Sequence, residues 1–187
     1  GPPPAALAQL LGAPSDADRM RACMTVILAE AVADEPSAAT RTAWDDLEQL
    51  VEHLDNARYL TSLGLWGTLV GALGGGAGGR DAEGRRSAAA VIGAAVQNDA
   101  PGQEALCAHD GVAALARRVL DDAEDAAVRR KAVTALSSAV RNFPRALEEL
   151  ARWAPEGVWD GRGVDAAEMD QVDGLMQRLR DYAARGG

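Results

Sequence analysis

At 187 residues the chain is long enough for one domain with a sizeable core, and at 48% hydrophobic residues it is too apolar for a disordered tail. The balance of 19 basic against 28 acidic side chains gives a formal charge of −9, a surface that repels phosphate backbones and anionic lipid, so neither nucleic acid nor membrane is expected as a partner. Aromatics are only 4% and alanine dominates, which favours closely packed helices over a β-sandwich.

The opening "GPPPAALAQLLGAP" is proline-rich and carries a short apolar patch, Leu7, Leu10 and Leu11. It reads as a flexible segment over residues 1–14. Ser15 then caps a helix, "DADRMRACMTVILAEA", with acids in its first turn. A second helix starts at Pro36-Ser37 and runs to about Asp55, with Ala43, Leu47, Leu50, Val51 and Leu54 at helical spacing. "DNARYLTSLG" is a shorter helix stopped by Gly64, and "LWGTLVGALG" is another, stopped by the glycines at 74–79. "GGGAGGR" lacks the Gly-Lys-Ser/Thr ending of a phosphate loop, and the chain's single lysine, Lys131, is remote from it. Helices follow at 81–98, about 111–120 and 125–142, the last after the acidic turn "DDAED". Pro144 opens "PRALEELARW" from a first-turn position. A loop, "APEGVWDGRG", precedes a final helix that the spacing predicts from Asp165, with Glu168 completing a capping box and Met169, Val172, Met176 and Leu179 forming its apolar stripe.

Two of these helices are nearly the same sentence. "GRRSAAAVIGAAVQN" (84–98) and "VRRKAVTALSSAVRN" (128–142) align without a gap at an offset of 44, with six of fifteen letters identical. At an offset of 42, "DLEQLVEHLDN" (46–56) falls on "SAAAVIGAAVQN", pairing Leu50 with Ile92, Leu54 with Val96 and Asn56 with Asn98. A period of 42–44 residues with two or three helices per unit is the mark of armadillo or HEAT-like repeats, in which units stack because none can bury its apolar face alone. The expected fold is therefore all-α, an armadillo-like right-handed α-solenoid of about three repeats over residues 15–164, closed by a capping helix and tail at 165–187. The long third helices would line its concave face, with Asn56, Asn98 and Asn142 as a ladder at their ends. Asparagine tolerates the left-handed conformation that ends helices, so each can serve as a cap, as a contact for a partner, or as both.

The stretches "LLGAPSDADRMRACM", "LVEHLDNARYLTSLGLWGTLV", "VIGAAVQNDAPGQEAL", "VRRKAVTALSSAVRNFP" and "VDAAEMDQVDGLMQRLRD" together resemble the fungal Fes-type nucleotide exchange factors of the cytosolic 70-kDa heat-shock protein, relatives of the animal heat-shock-protein-binding protein. The similarity runs from about Leu10 to Asp181. It implies a cytoplasmic, monomeric co-chaperone whose curved body embraces one lobe of the chaperone's ATPase domain, opens the nucleotide cleft and speeds ADP release. In that family the "LDNA" stretch lies on the chaperone-facing side, which carries over to Asp55, Asn56 and Ala57; the small Ala57 would let the partner backbone approach. Position in the repeat adds Gln97, Asn98, Arg141 and Asn142. The family's N-terminal Leu/Trp-containing segment, which helps dislodge clients, lies before this chain's start. The further repeat of yeast-type members has no visible counterpart.

Catalytic and metal chemistry find no support in the residues. His53 and His109 stand in no motif with Ser, Cys or Asp, and Cys23 and Cys107 are expected as buried or half-buried thiols. No catalytic residue, metal or cofactor is expected. The acidic clusters at 45–48 and 121–125 lack calcium-loop spacing and read as solvated surface. Trp66 reads as core, whereas Trp153 and Trp159 flank a loop. The competing function is a generic armadillo adaptor that binds a peptide on the asparagine ladder; adaptors of that kind carry a regular Trp/Asn pair in each third helix, and this chain does not.

Overall fold

The structure, a computed structural model, describes residues 4–30 and 36–185. The first three residues of the proline-rich opening, the last residue of "DADRMRACMTVILAEA" and the final two glycines lie outside the described residues. Among those described there are twelve helical segments and no strand. A short α1 (Pro4–Leu10) leaves Leu7, Leu10 and Leu11 exposed. Then come α2 (Asp16–Ala29), α3 (Ala38–Val51), the single turns α4 (Leu54–Ala57) and α5 (Tyr59–Ser62), and α6 (Trp66–Leu73). The remaining segments are α7 (Ala82–Val96), α8 (Ala100–Ala108), α9 (Gly111–Leu120), α10 (Ala126–Val140), α11 (Pro144–Ala151) and α12 (Met169–Arg185).

The long helices stack in succession, α3 on α7, α7 on α10 and α10 on α12, with α6, α9 and α11 filling behind them, as an α-solenoid requires. The twin stretches keep their offset to the residue. Ala82–Val96 and Ala126–Val140 both run fifteen residues, 44 apart, and are capped by Asp81 and Asp125, which accept the N–H groups of Gly84 and Ala127. Each twin ends in an extended residue, Gln97 or Arg141, and then a left-handed one, Asn98 (φ 53°) or Asn142 (φ 52°).

The first unit keeps the same period, not the shorter one. Adding 44 to Ala38–Val51 gives 82–95, and five of the six buried residues of α3 fall on buried ones: Thr40 on Gly84, Ala43 on Ser87, Trp44 on Ala88, Leu47 on Val91 and Val51 on Ala95, while Leu50 falls on half-buried Ala94. The helix stops at Val51 rather than Asp55. His53 is extended (ψ 123°) like Gln97 and Arg141, and α4 starts afresh at Leu54. Leu54 is therefore 55% exposed and not part of the buried stripe, and it is Leu54, not Asn56, that stands where Asn98 and Asn142 stand. The three-rung asparagine ladder reduces to two rungs.

Two further expectations shift. The last helix begins at Met169, because Asp165 folds a turn, its carboxylate accepting the Ala167 N–H at 2.9 Å and its carbonyl the Glu168 N–H at 3.0 Å. Gln171, not Glu168, reaches back to accept the Asp165 N–H at 2.8 Å. The acidic turn at 121–125 is also more than solvated surface. Glu124 has a side chain only 1% exposed and takes Arg85 bidentately at 2.7 and 2.9 Å, with Arg118 at 2.9 Å. It thus ties α7, α9 and the start of α10 together.

The tryptophans fill the interior. Trp66 is 1% exposed and donates to Thr61 Oγ1, as a core residue should. Trp159 is buried and donates to the Arg162 carbonyl, while Trp153 is half-buried under the Arg117 guanidinium, 4.8 Å from the ring centre. Both cysteines are buried free thiols. Burial, helped by Glu149, pushes Cys107 up to about 12, and burial with Asp46 raises Cys23, so both stay protonated at neutral pH.

Burial alone would raise the Glu124 carboxyl, but the bonds from Arg85, the Asp125 N–H and Arg118 more than offset it and hold it below the ordinary range. A carboxylate depressed in the folded state stabilises above its unfolded value of about 4.3 and loses that contribution as pH falls through the folded value. Glu124→Gln should therefore cost about 3 kcal/mol at pH 7, since it strands buried guanidinium charge. Denaturant titrations at pH 7 and pH 3 should show the gap to the parent narrowing in acid.

Candidate functional site

The long helices bury their apolar stripes against one another and present their C-terminal ends on one edge. Between the end of α3 with α4 and the end of α7 lies an open cleft of about 330 Å³. Val51, Glu52, Leu54 and Ala57 line one wall; Ala94, Ala95, Gln97 and Asn98 line the other. Three sequence-predicted residues, Ala57, Gln97 and Asn98, thus meet in one concavity although they come from separate repeats. The cleft exists because both walls are small at that level. Alanines at 57, 94 and 95 leave space that larger side chains would close.

The other predicted residues take different places. Asp55 is exposed on α4, beside the cleft. Asn56 is 5% exposed, and its Nδ2 donates to Asp16 Oδ2 at 2.8 Å, tying α4 to the first turn of α2. Arg141 and Asn142 do not line the cleft; they end α10 one repeat further along. Arg141 donates to Ser137 Oγ at 2.7 and 3.1 Å and to Asp173 Oδ1 of α12 at 2.6 Å. Asn142 is exposed, and its backbone N–H donates to the Ala166 carbonyl at 2.8 Å. Left-handed Asn98 and Asn142 are therefore helix-ending residues in their own right, which is the capping half of the dual reading.

Two residues of this edge are not evident from the letters. Leu54 presents an apolar side chain on the cleft rim, and the 44-residue register would have flagged it as the counterpart of Asn98. Gln103, on α8 and 4% exposed, donates through Nε2 to the carbonyls of Ser138, Ala139 and Arg141 at 2.9–3.1 Å. These carbonyls belong to the end of α10, which has no intrahelical donors left for them. Gln103 thus fixes where Arg141 and Asn142 sit. The only sequence sign is a polar letter at a buried position of a short helix.

Left-handed geometry separates cap from contact. Asn98→Gly and Asn142→Gly should leave unfolding free energies within about 0.5 kcal/mol of the parent, because glycine accepts positive φ, whereas the alanine variants should each lose about 1 kcal/mol. Urea unfolding of the four variants checks this, and the glycine variants then isolate what the side chains contribute to binding.

The cleft's two walls carry "LDNA" and "AVQN", stretches quoted above for their family resemblance. A family model described as "Nucleotide exchange factor Fes1" matches residues 2–60. The chain is 41% identical over 190 aligned positions to "Hsp70 nucleotide exchange factor fes-1" of Neurospora crassa, covering 96% of this chain and 73% of that protein. It is 43% identical to "Hsp70 nucleotide exchange factor FES1" of Coccidioides immitis, across 96% of this chain and 82% of that protein. The Gibberella zeae protein of the same name is 39% identical, across 95% and 82%. The chain belongs to the Fes1 family of Hsp70 nucleotide exchange factors.

Proposed function

We propose that this chain binds the ATPase domain of a cytosolic 70-kDa heat-shock protein through the edge carrying Ala57, Gln97, Asn98, Arg141 and Asn142, and accelerates ADP release. The observation that carries the reading is the cleft itself, which gathers two separate pieces of the family signature into one concavity of about 330 Å³. Asp55 stands beside it as an exposed acidic contact, and Asn56 acts by holding α4, and so Ala57, in place.

The mechanism needs no bond-breaking group. A partner that binds the open, nucleotide-poor form of the chaperone more tightly than the closed form must weaken nucleotide binding by the same factor. The chain's task is to be complementary to one state and stiff enough to select it. We read it as acting in the cytoplasm as a monomer, without cofactor or catalytic residue. The adaptor alternative is disfavoured by Trp44, a tryptophan of the first long helix: it is 3% exposed and donates its indole N–H to the Gly78 carbonyl inside the protein, so it offers no face to a peptide.

Mixing the protein with a 70-kDa chaperone loaded with fluorescent ADP should raise the release rate in stopped flow; no acceleration at micromolar protein overturns the reading. Ala57→Arg fills the cleft with a long cation and should abolish acceleration; Ala57 is only 6% exposed, so the melting temperature should also fall, and the comparison is made well below it, where helical circular dichroism matches the parent. A variant that is folded at the assay temperature and still exchanges would show that docking occurs elsewhere.

A further inference from the structure

Docking by the cleft must bury surface that the fold leaves open. Of the cleft's apolar lining residues, Val51, Ala57 and Ala95 are already buried in the protein alone, and Ala94 is half-buried. Leu54 differs from all of them. It is 55% exposed, and from α3 onward it is the one large hydrophobic side chain, among the described residues, that the fold leaves exposed. The hydrophobic gain follows the area removed from water, so most of the apolar gain still open to the cleft belongs to Leu54.

The repeat treats this position differently elsewhere. One and two units further on it holds Asn98 and Asn142, which are exposed, polar and left-handed. Leu54 has no positive φ, so it does not end a helix in their manner; it opens α4 instead. Leu54 and Ala57 stand three residues apart on that turn and share its cleft face. Asn56, between them, ties the turn to Asp16 at 2.8 Å, so the leucine is held at the rim before a partner arrives and little ordering is left for docking. An exposed leucine continuous with an apolar cleft floor contributes little to the core and works against solubility. A local choice that works against the fold points to a demand from outside it.

We propose that Leu54 is the apolar anchor of docking: an uncharged, apolar side chain of the chaperone's ATPase domain packs on it at the cleft rim, and the Gln97 and Asn98 amides across the cleft bond the backbone beside that side chain. This rests on the function proposed above and names the contact from which the same site draws its affinity. Among the eight residues that line the cleft only Glu52 is charged, so the cleft suits an uncharged partner element rather than a cluster of charge.

Leu54→Asn writes into this unit the residue of the other two and removes the apolar contact at similar size. In stopped flow with the fluorescent-ADP-loaded chaperone, the full chain carrying it should need about ten times the parental concentration for half-maximal acceleration. Leu54 is more than half exposed, so the midpoint of urea unfolding should match the parent's. Leu54→Met, apolar and of similar volume, should stay within about threefold of the parent. Failure of the parent to accelerate release strikes the proposed function. A parent that exchanges, with an asparagine variant shifted by less than about twofold, overturns the anchor alone. So does a methionine variant as weak as the asparagine one, because apolarity would then not be the cause. An asparagine variant whose weakening comes with a lowered urea midpoint overturns it too, since lost structure would account for the effect.

Discussion

The close approach of α7 to α10 is the constraint on which the rest of the molecule depends. A Cβ placed on Gly93 would come within 3.2 Å of Ala135 Cα, so the two helices meet nearly backbone to backbone. Ala88, Ala89 and Ala95 on one helix and Ala132, Ala135 and Ala139 on the other are all buried. Small side chains at these positions forgo hydrophobic area per residue, and the structure recovers it from dense packing along fifteen-residue helices in register. That accounts for a core rich in alanine and poor in aromatics. It also accounts for the repetition, since equivalent helices can approach this closely only if both present the same small stripe.

Where such packing buries a helix end, the polar groups there must be satisfied by the protein. Aspartates cap the N-termini, Arg129 takes the carbonyl of Val119 at the end of α9, and Gln103 takes three carbonyls at the end of α10. The Arg85–Glu124–Arg118 cluster is the charged form of the same solution. It fastens the second unit to the third where the chain turns into α10. These bonds fix the relative placement of successive helix ends. At the cleft between α4 and α7, the α4 wall is held by the bond from Asn56 to Asp16.

The repeat was legible in the letters because the twins share both their apolar pattern and their caps. The first unit was not, and the reason is specific. Matching Asn56 to Asn98 by letter demanded an offset of 42, whereas burial of Thr40, Ala43, Trp44, Leu47 and Val51 follows 44. The asparagine in "LDN" does a different job, bonding Asp16, so identity of the letter misled where periodicity of burial did not. Glu124 was invisible for a related reason. An acidic run reads as solvated surface unless the two arginines that bury one of its members are seen to converge, and they arrive from 39 and 6 residues away. Of the residues that line the cleft, Gln97 and Asn98 were readable from their place at the end of a repeat, and Ala57 only through the family resemblance of "LDNA". That Leu54 joins them depended on where one helix stops.

A stiff edge is what exchange by linkage needs. To weaken nucleotide binding a hundredfold, the protein must favour the open chaperone over the closed one by about 2.7 kcal/mol. That is a small share of a standard interface of about 800 Å² per partner, so modest differential contact suffices, provided the binder does not deform to suit the closed state. A flexible surface would bind both states alike and shift nothing, however tightly it bound. The tight α7–α10 stack, the bonded helix ends and the buried ion cluster therefore matter to the proposed function as well as to stability, because docking by the cleft requires a body that does not deform to suit the closed state.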